Sequence, residues 1–410
     1  FEQTFQKKNL AAVREHPLTP TRPLVSRALG SISRSFINEE DGLMIGAFRY
    51  PGVVAHIGLM SLEDEDIERI TDIKGPKVYP VTSPAYDPES MTLFYTDDNH
   101  AYRDLMAVDL TTGKKRMLIK DARVGDLAFN AADKSIWGLR HLNGYVSLVR
   151  IPPPYNEWNQ IHSWPYGQVA YEMDVSADGS MLSLSLGEID ATQYLRVYRI
   201  EDILQQKMEP VAEYNFMTSA PEGFVFSPDG RYLFGSSFLT GVSNIFRYEI
   251  ETGDMEAVSN AETGFFRPIP REDGSLVVFE FTGKGFIPSV IDPVPLEDLS
   301  AIVFLGNEIV KKHPVLRDWN VVGTLAKTEH ESKITKRGKY RPYRELDFES
   351  GYPIIEGYRD SAAIGYAMKF QDPAQLHNVD LSASYSPDSD LPLSLIHISE
   401  PTRLWSGSRM

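Results

Sequence analysis

The chain has 410 residues, 42% hydrophobic and 24% charged, with no cysteine and a formal net charge of −16. That acidity argues against a nucleic-acid partner, because the phosphate backbone would repel the protein as a whole. The lack of Cys excludes a disulfide framework and thiolate metal sites, and no apolar run approaches the length of a membrane-spanning helix.

Along the chain, Phe1, Phe5 and Val13 fall at helical spacing before Pro17 closes the pattern. Residues 1–24 therefore read as a connecting helix from a region upstream of Phe1. From there the chain turns to β-structure. The stretch FVFSPDGRYLFGSS at 224–237 has echoes at 86–95, 129–138 and 175–184. Each is an apolar residue, a polar turn, and a run alternating toward aromatics and aliphatics.

Aligned on the turn, the anchors are Gly42, Ser90, Asp133, Gly179, Gly230 and Gly274, at spacings of 48, 43, 46, 51 and 44. Asp bonds backbone groups two residues on, and Gly takes the positive φ of a tight turn. A second turn is in register: Ser90 to Thr111-Thr112-Gly113 and Gly230 to Glu251-Thr252-Gly253 both span 23 residues. The segment EDILQQKMEP at 201–210 reads as a helical insertion that explains the longest spacing. Periods in this range belong to propeller blades of four short antiparallel strands, while a β-sandwich with evenly spaced hairpins is the alternative.

The stretches FSPDGRYLFGSS, SNIFRYEIETGD and FEFTGKGFIPSVI resemble the TolB-like six-bladed propellers, distant relatives of WD-repeat proteins. The resemblance covers 25–295 and implies an all-β fold, a six-bladed propeller of four-stranded antiparallel blades. Ring closure then requires a strand from roughly 25–36 to pair with 286–292.

No catalytic or metal constellation emerges. No two His residues stand as HxH or HExxH, and His330-Glu331-Ser332-Lys333-Ile334 lacks a second His. Gly241-Val242-Ser243-Asn244-Ile245 lacks the second Gly of a nucleophile elbow, so Ser243 reads as a turn residue. The Asp97–Asp104 segment clusters oxygens for a hard cation but has no Gly at the sharp turn and no distal Glu, which leaves a polar loop. Glu63–Asp66 reads as a solvated loop. The aromatic stretch Trp158–Tyr166 reads either as inter-blade packing or as a recognition lip. No cofactor is implied.

Residues 296–345 read as a basic linker, with KITKRGKYRPYR at 333–344 free of acids. That cluster suits a solvated linker, or a segment lying on anionic lipid headgroups. Residues 346–392 read as truncated β-barrel-like strands in which 346–370 and 378–386 alternate: Ile364, Tyr366, Met368 and Phe370 share one face, and Val379, Leu381, Ala383 and Tyr385 another such face. A soluble antiparallel sheet gives this pattern, and so does a transmembrane barrel strand. ELDFESGYPIIEGYRDSAAIGYAMKFQDP and HNVDLSASYSPDSDLP resemble the opening strands of bacterial outer-membrane barrels that follow TolB-like propellers. Residues 393–410 begin LSLIHISEPTR, which resembles an in-frame translation of a transposase sequencing adapter. They read as an artefact outside the fold.

These resemblances imply a module of a Gram-negative cell envelope, in the periplasm or outer membrane. It would bind a protein or peptide at the propeller mouth and meet the outer membrane through the barrel. The alternative is an accessory, substrate-restricting propeller of a gluzincin-like zinc peptidase, on a resemblance of the N-terminal segment FEQTFQKKNLAAVREHPLTP to the connector in such enzymes.

Overall fold

A computed structural model describes residues 17–30, 32–49, 53–73, 83–98, 102–296, 315, 338–339, 341, 344–358, 361–373 and 377–385. The N-terminal 16 residues, His330, most of the basic cluster and the whole of 393–410 lie outside the described residues. The chain divides into two compact units, Phe1–Lys327 and Thr328–Met410.

The first unit contains six four-stranded antiparallel sheets. All six sequence anchors fall in the turn between the first and second strands of a sheet. In the fifth, Glu222–Phe226 is followed by the Pro228-Asp229-Gly230 turn and by Tyr232–Ser237, Asn244–Glu249 and Met255–Ala257. Gly230 adopts φ +71°, and Asp229 Oδ1 accepts the Arg231 N–H at 3.1 Å, which closes the turn. Where no Gly stands at the anchor, the next residue takes the left-handed conformation: Met91 (φ 49°) after Ser90 and Lys134 (φ 58°) after Asp133. Gly113 and Gly253, at φ 67° and 77°, sit in the matching second turns. The insertion in the fourth sheet is a single helical turn, Ile200–Leu204, with Ile200 and Ile203 buried.

Six hydrophobic clusters hold the sheets together, and each occupies the gap between two successive sheets. Tyr95 and Ile57 lie between the first and second, and Phe94 and Val149 between the second and third. Trp137 and Leu184 follow, then Phe216 and Phe246, then Phe234 and Val278. The sixth cluster joins Val277 and Phe279 of the last sheet to Met44 and Met60 of the first. Sheets that pack only on their neighbours, with the last packed on the first, make a closed ring. The first unit is a six-bladed β-propeller.

Closure differs from the expectation by a few residues. The strand completing blade six is Arg22–Pro23, with Arg22 opposite Val290 and Pro23 opposite Ser289, extended by a bridge between Leu29 and Phe286. The expected window of 25–36 cannot supply it whole, because Phe36–Asn38 is already the innermost strand of blade one. The chain must leave the outer edge of blade six by residue 30 to reach the centre.

The second unit shows three antiparallel strands, Asp347–Tyr358, Ser361–Gln371 and Asn378–Tyr385. The register sets Ile364 opposite Ile355 and Tyr385, and Phe370 opposite Phe348 and Val379. The two expected apolar rows therefore share one face of one sheet, on which Ile355, Ile364 and Tyr385 are exposed. No helix among the described residues is long and apolar enough to cross a membrane.

Candidate binding site

Strand alternation gives the propeller two unlike faces. The regular turns carrying the anchors lie on one, here the turn face. The hairpins between second and third strands and the connections between blades lie on the other, the loop face. The innermost strands begin at the loop face, and there a cavity of about 600 Å³ opens on the ring axis, lined by residues of all six blades.

The cavity wall is built by a repeated irregularity. In blades three to six the innermost strand breaks register with the second at the same place, between Gly125 and Ala128, Tyr171 and Met173, Glu222 and Val225, and Phe266 and Ile269. Each break contains a left-handed residue: Asp126 (φ 46°), Glu172 (42°), Gly223 (61°) and Arg267 (46°). A bulge re-aims a side chain, and three non-glycine residues held at positive φ at equivalent points mark a site where backbone strain is tolerated. Each stands seven residues before its anchor, as do Ser35 of blade one and Ser83 of blade two, and all six line the cavity.

Charges of both signs are held across the axis. Arg34 of blade one pairs with Asp174 of blade four and donates to the carbonyls of Met173 at 3.0 Å and Leu127 at 3.3 Å. The other oxygen of Asp174 accepts the Phe226 N–H at 2.9 Å. Arg267 donates to Glu172 Oε1 at 2.7 Å, and Glu172 Oε2 accepts the Gly223 N–H. Blades one, three, four, five and six are thereby tied through the centre. Burial, reinforced by Glu172, pushes Asp126 up to about 6, and the same two causes raise Glu222.

Outside the cavity the loop face is aromatic. Every exposed aromatic among the described propeller residues lies there: Tyr145, Tyr166, Phe238 and Phe281. Tyr145 and Tyr166 meet edge-on at 6.0 Å. Phe238, Phe266, Phe286 and Phe281 form a ladder with centroid separations of 5.9, 5.6 and 5.3 Å, and it begins next to the cavity residue Arg267.

The residues weighed in the sequence fall differently. Ser243 is buried, and its hydroxyl donates to the Phe265 carbonyl at 2.8 Å, a bond from blade five to the innermost strand of blade six and not one within a turn. In the Asp97–Asp104 segment, Asp104 Oδ1 accepts the Asp121 N–H at 2.8 Å, and residues 99–101 lie outside the described set. No group of three His, Cys, Asp or Glu side chains able to hold a metal ion occurs among the described residues. The acidic Glu63–Asp66 run is a turn: Ser61 Oγ accepts the Glu63 and Asp64 N–H groups, and Glu65 accepts the Ser26 hydroxyl at 2.7 Å. The Trp158–Tyr166 stretch divides. Trp158 and Trp164 pack between blades while Tyr166 is 70% exposed. Reading from the sequence missed the ring of cavity residues. The signal for it was present, as a charged or small residue seven positions before each anchor.

No protein family matches the chain, and no curated protein matches its sequence. Solved structures do resemble it. TolB from Acinetobacter baumannii is 14% identical over 63% of this chain and 64% of its own, with a TM-score of 0.46. The chain thus spans just under two thirds of that protein. An oligogalacturonate lyase in complex with manganese is 13% identical over 70% of this chain and 98% of its own, with a TM-score of 0.45. The oligogalacturonate lyase from Vibrio parahaemolyticus is 11% identical over 67% and 93%, with a TM-score of 0.45. Likenesses at these identities and TM-scores carry no argument about what this chain does.

Proposed function

We propose that the propeller is a non-catalytic binding module that takes a protein segment or peptide on its loop face. The distribution of exposed aromatics carries this reading. They gather on the face of irregular loops, beside a charged cavity, while the opposite face is made of uniform turns. Loops on a rigid scaffold are where recognition is built, and aromatic side chains anchor peptide contacts at low conformational cost. Screening the full chain against an immobilised peptide library tests it. Binding peptides are expected, with affinity falling at least tenfold in Tyr166→Ser and Phe281→Ser while the melting temperature holds. Peptides that bind these variants as well as the parent would overturn the reading.

The same proposal places the protein in a Gram-negative envelope, with the second unit's sheet meeting lipid. Support comes from the exposed apolar row of Ile355, Ile364 and Tyr385, since a contiguous apolar face of this kind needs a cover. The full chain should float with liposomes, and Ile364→Lys should release it. Flotation unaffected by that substitution would count against lipid as the cover.

A further inference from the structure

At the junction of blades two and three the loop face gathers Arg103, Arg123, Arg140 and His141. Backbone bonds set three of them side by side. The Arg123 N–H donates to the Arg103 carbonyl at 3.1 Å, and the His141 N–H donates to the Arg123 carbonyl at 3.1 Å. The Arg123 guanidinium lies 3.4 Å from the centre of the Tyr102 ring, and that of Arg140 lies 4.5 Å from the centre of Trp158. Arg103 runs along the start of blade three, where a side chain at Gly125 would meet its Nη1 at 3.5 Å.

An arginine held over an aromatic ring interacts through its face and keeps the in-plane N–H groups of its fork for other acceptors. Among the described residues no carboxylate pairs with Arg103, Arg123 or Arg140, and the buried Nε of Arg140 has no acceptor. Several other arginines of the propeller are paired. Arg150, Arg196, Arg231, Arg247 and Arg271 each hold a carboxylate. Of the nearby acids, Asp104 accepts the Asp121 N–H, Asp126 lines the cavity and feels the charge of Arg103, and Asp98 stands opposite Arg103 in the hairpin without an ion pair to it. In a chain of 57 acids and 41 bases, an unpaired cationic group is not a product of composition.

The electrostatics agree. Burial, with Arg123 adding to it, holds Arg140 below the usual guanidinium range. Burial, with Arg103 adding to it, holds His141 below the usual imidazole range. Each group thus senses the positive charge of a neighbouring arginine.

We infer that this corner binds an oxyanion group of a ligand, a phosphate or a carboxylate, on the guanidinium edges of Arg123 and Arg140, flanked by Arg103 and His141. Such a group accepts from the planar donor forks and removes the mutual repulsion. The inference stands apart from the peptide-binding reading and does not need it.

The test follows the His141 imidazole by NMR in the full chain as inorganic phosphate or acetate replaces chloride at constant ionic strength. The expected result is a saturable rise in the His141 pKa with at least one of the two anions, and none at His162. His162 is likewise lowered by burial, but no cation contributes to its shift. A response to phosphate alone assigns phosphoryl groups, and a response to both admits carboxylates. Arg123→Ala should weaken the response at least fivefold. Arg140→Lys keeps the charge, removes the fork, and should also weaken it if Arg140→Ala does not fold. A His141 titration indifferent to both anions, or a response that survives in folded Arg123→Ala and Arg140→Lys, overturns the inference.

Discussion

Replacing Arg34 by Ala removes the side chain that crosses the propeller axis. Its guanidinium pairs with Asp174 and donates to the carbonyls of Met173 and Leu127, so one substitution cuts three links between blades one, three and four. Asp174 is buried and, among the described residues, keeps the Phe226 N–H as its remaining partner. Breaking a buried ion pair from one side costs about 3–5 kcal/mol, much of it from the charge left uncompensated. The Arg34 side chain is 22% exposed, which places the expected loss near the lower end, about 3 kcal/mol. At roughly 2–4 °C per kcal/mol for a domain of this size, the melting temperature should fall by about 6–12 °C. Urea unfolding of Arg34→Ala, Asp174→Asn and the double variant separates the pair from its surroundings, with Arg34→Met preserving the stem. The double variant should be less damaged than the sum of the singles by about 1.5 kcal/mol or more. Additive losses, with coupling under about 0.5 kcal/mol, would refute the view that this pair ties the blades together.

Asp126 should make the propeller less stable as pH rises. Its carboxyl, pushed up to about 6, still holds its proton in the folded protein where the unfolded chain has released it. Raising the pH from about 4 to 7 therefore costs stability, by up to about 3 kcal/mol. Asp126→Asn should flatten that slope in denaturation midpoints measured between pH 4.5 and 7.5, and an unchanged slope would contradict the assignment. Gly235→Ala would drive a methyl into the ring of buried Phe224, so a loss of about 1–3 kcal/mol is expected by thermal denaturation. A neutral result would mean that the gap between blades four and five is looser than described. Asp229→Ala removes the acceptor for the Arg231 N–H and for the Ser227 hydroxyl, 2.5 Å away. It should cost about 1 kcal/mol, readable in the urea midpoint.

The blades were open to reading because each is made by local rules. A Pro-Asp-Gly turn needs only its own residues to close, and alternation along Tyr232–Ser237 reports the pleat directly, so six anchors at a steady period disclosed six hairpins. Gly113 and Gly253 confirmed the frame for the same reason. The alternating rows of the second unit were equally local, and the register put Ile364 beside Ile355 and Tyr385 on one face. Where the chain leaves this local regime, the sequence located the pairing only to within a few residues. The closing strand was sought at 25–36 because nothing in that stretch states which blade edge it will meet, a pairing between residues more than 250 apart.

What the sequence determined by itself was the number of blades, their strand order and the turn face, since hairpin chemistry acts over a few residues. Tertiary structure decided the site, although a charged or small residue stands seven positions before each anchor. Asp126, Glu172 and Arg267 look like ordinary strand residues until bulges turn them to the axis, and Arg34 finds Asp174 only when the ring closes. The cationic corner has the same origin. Arg103, Arg123 and Arg140 are scattered in sequence and become a group because two blades meet there, and their charges add through space and not along the chain.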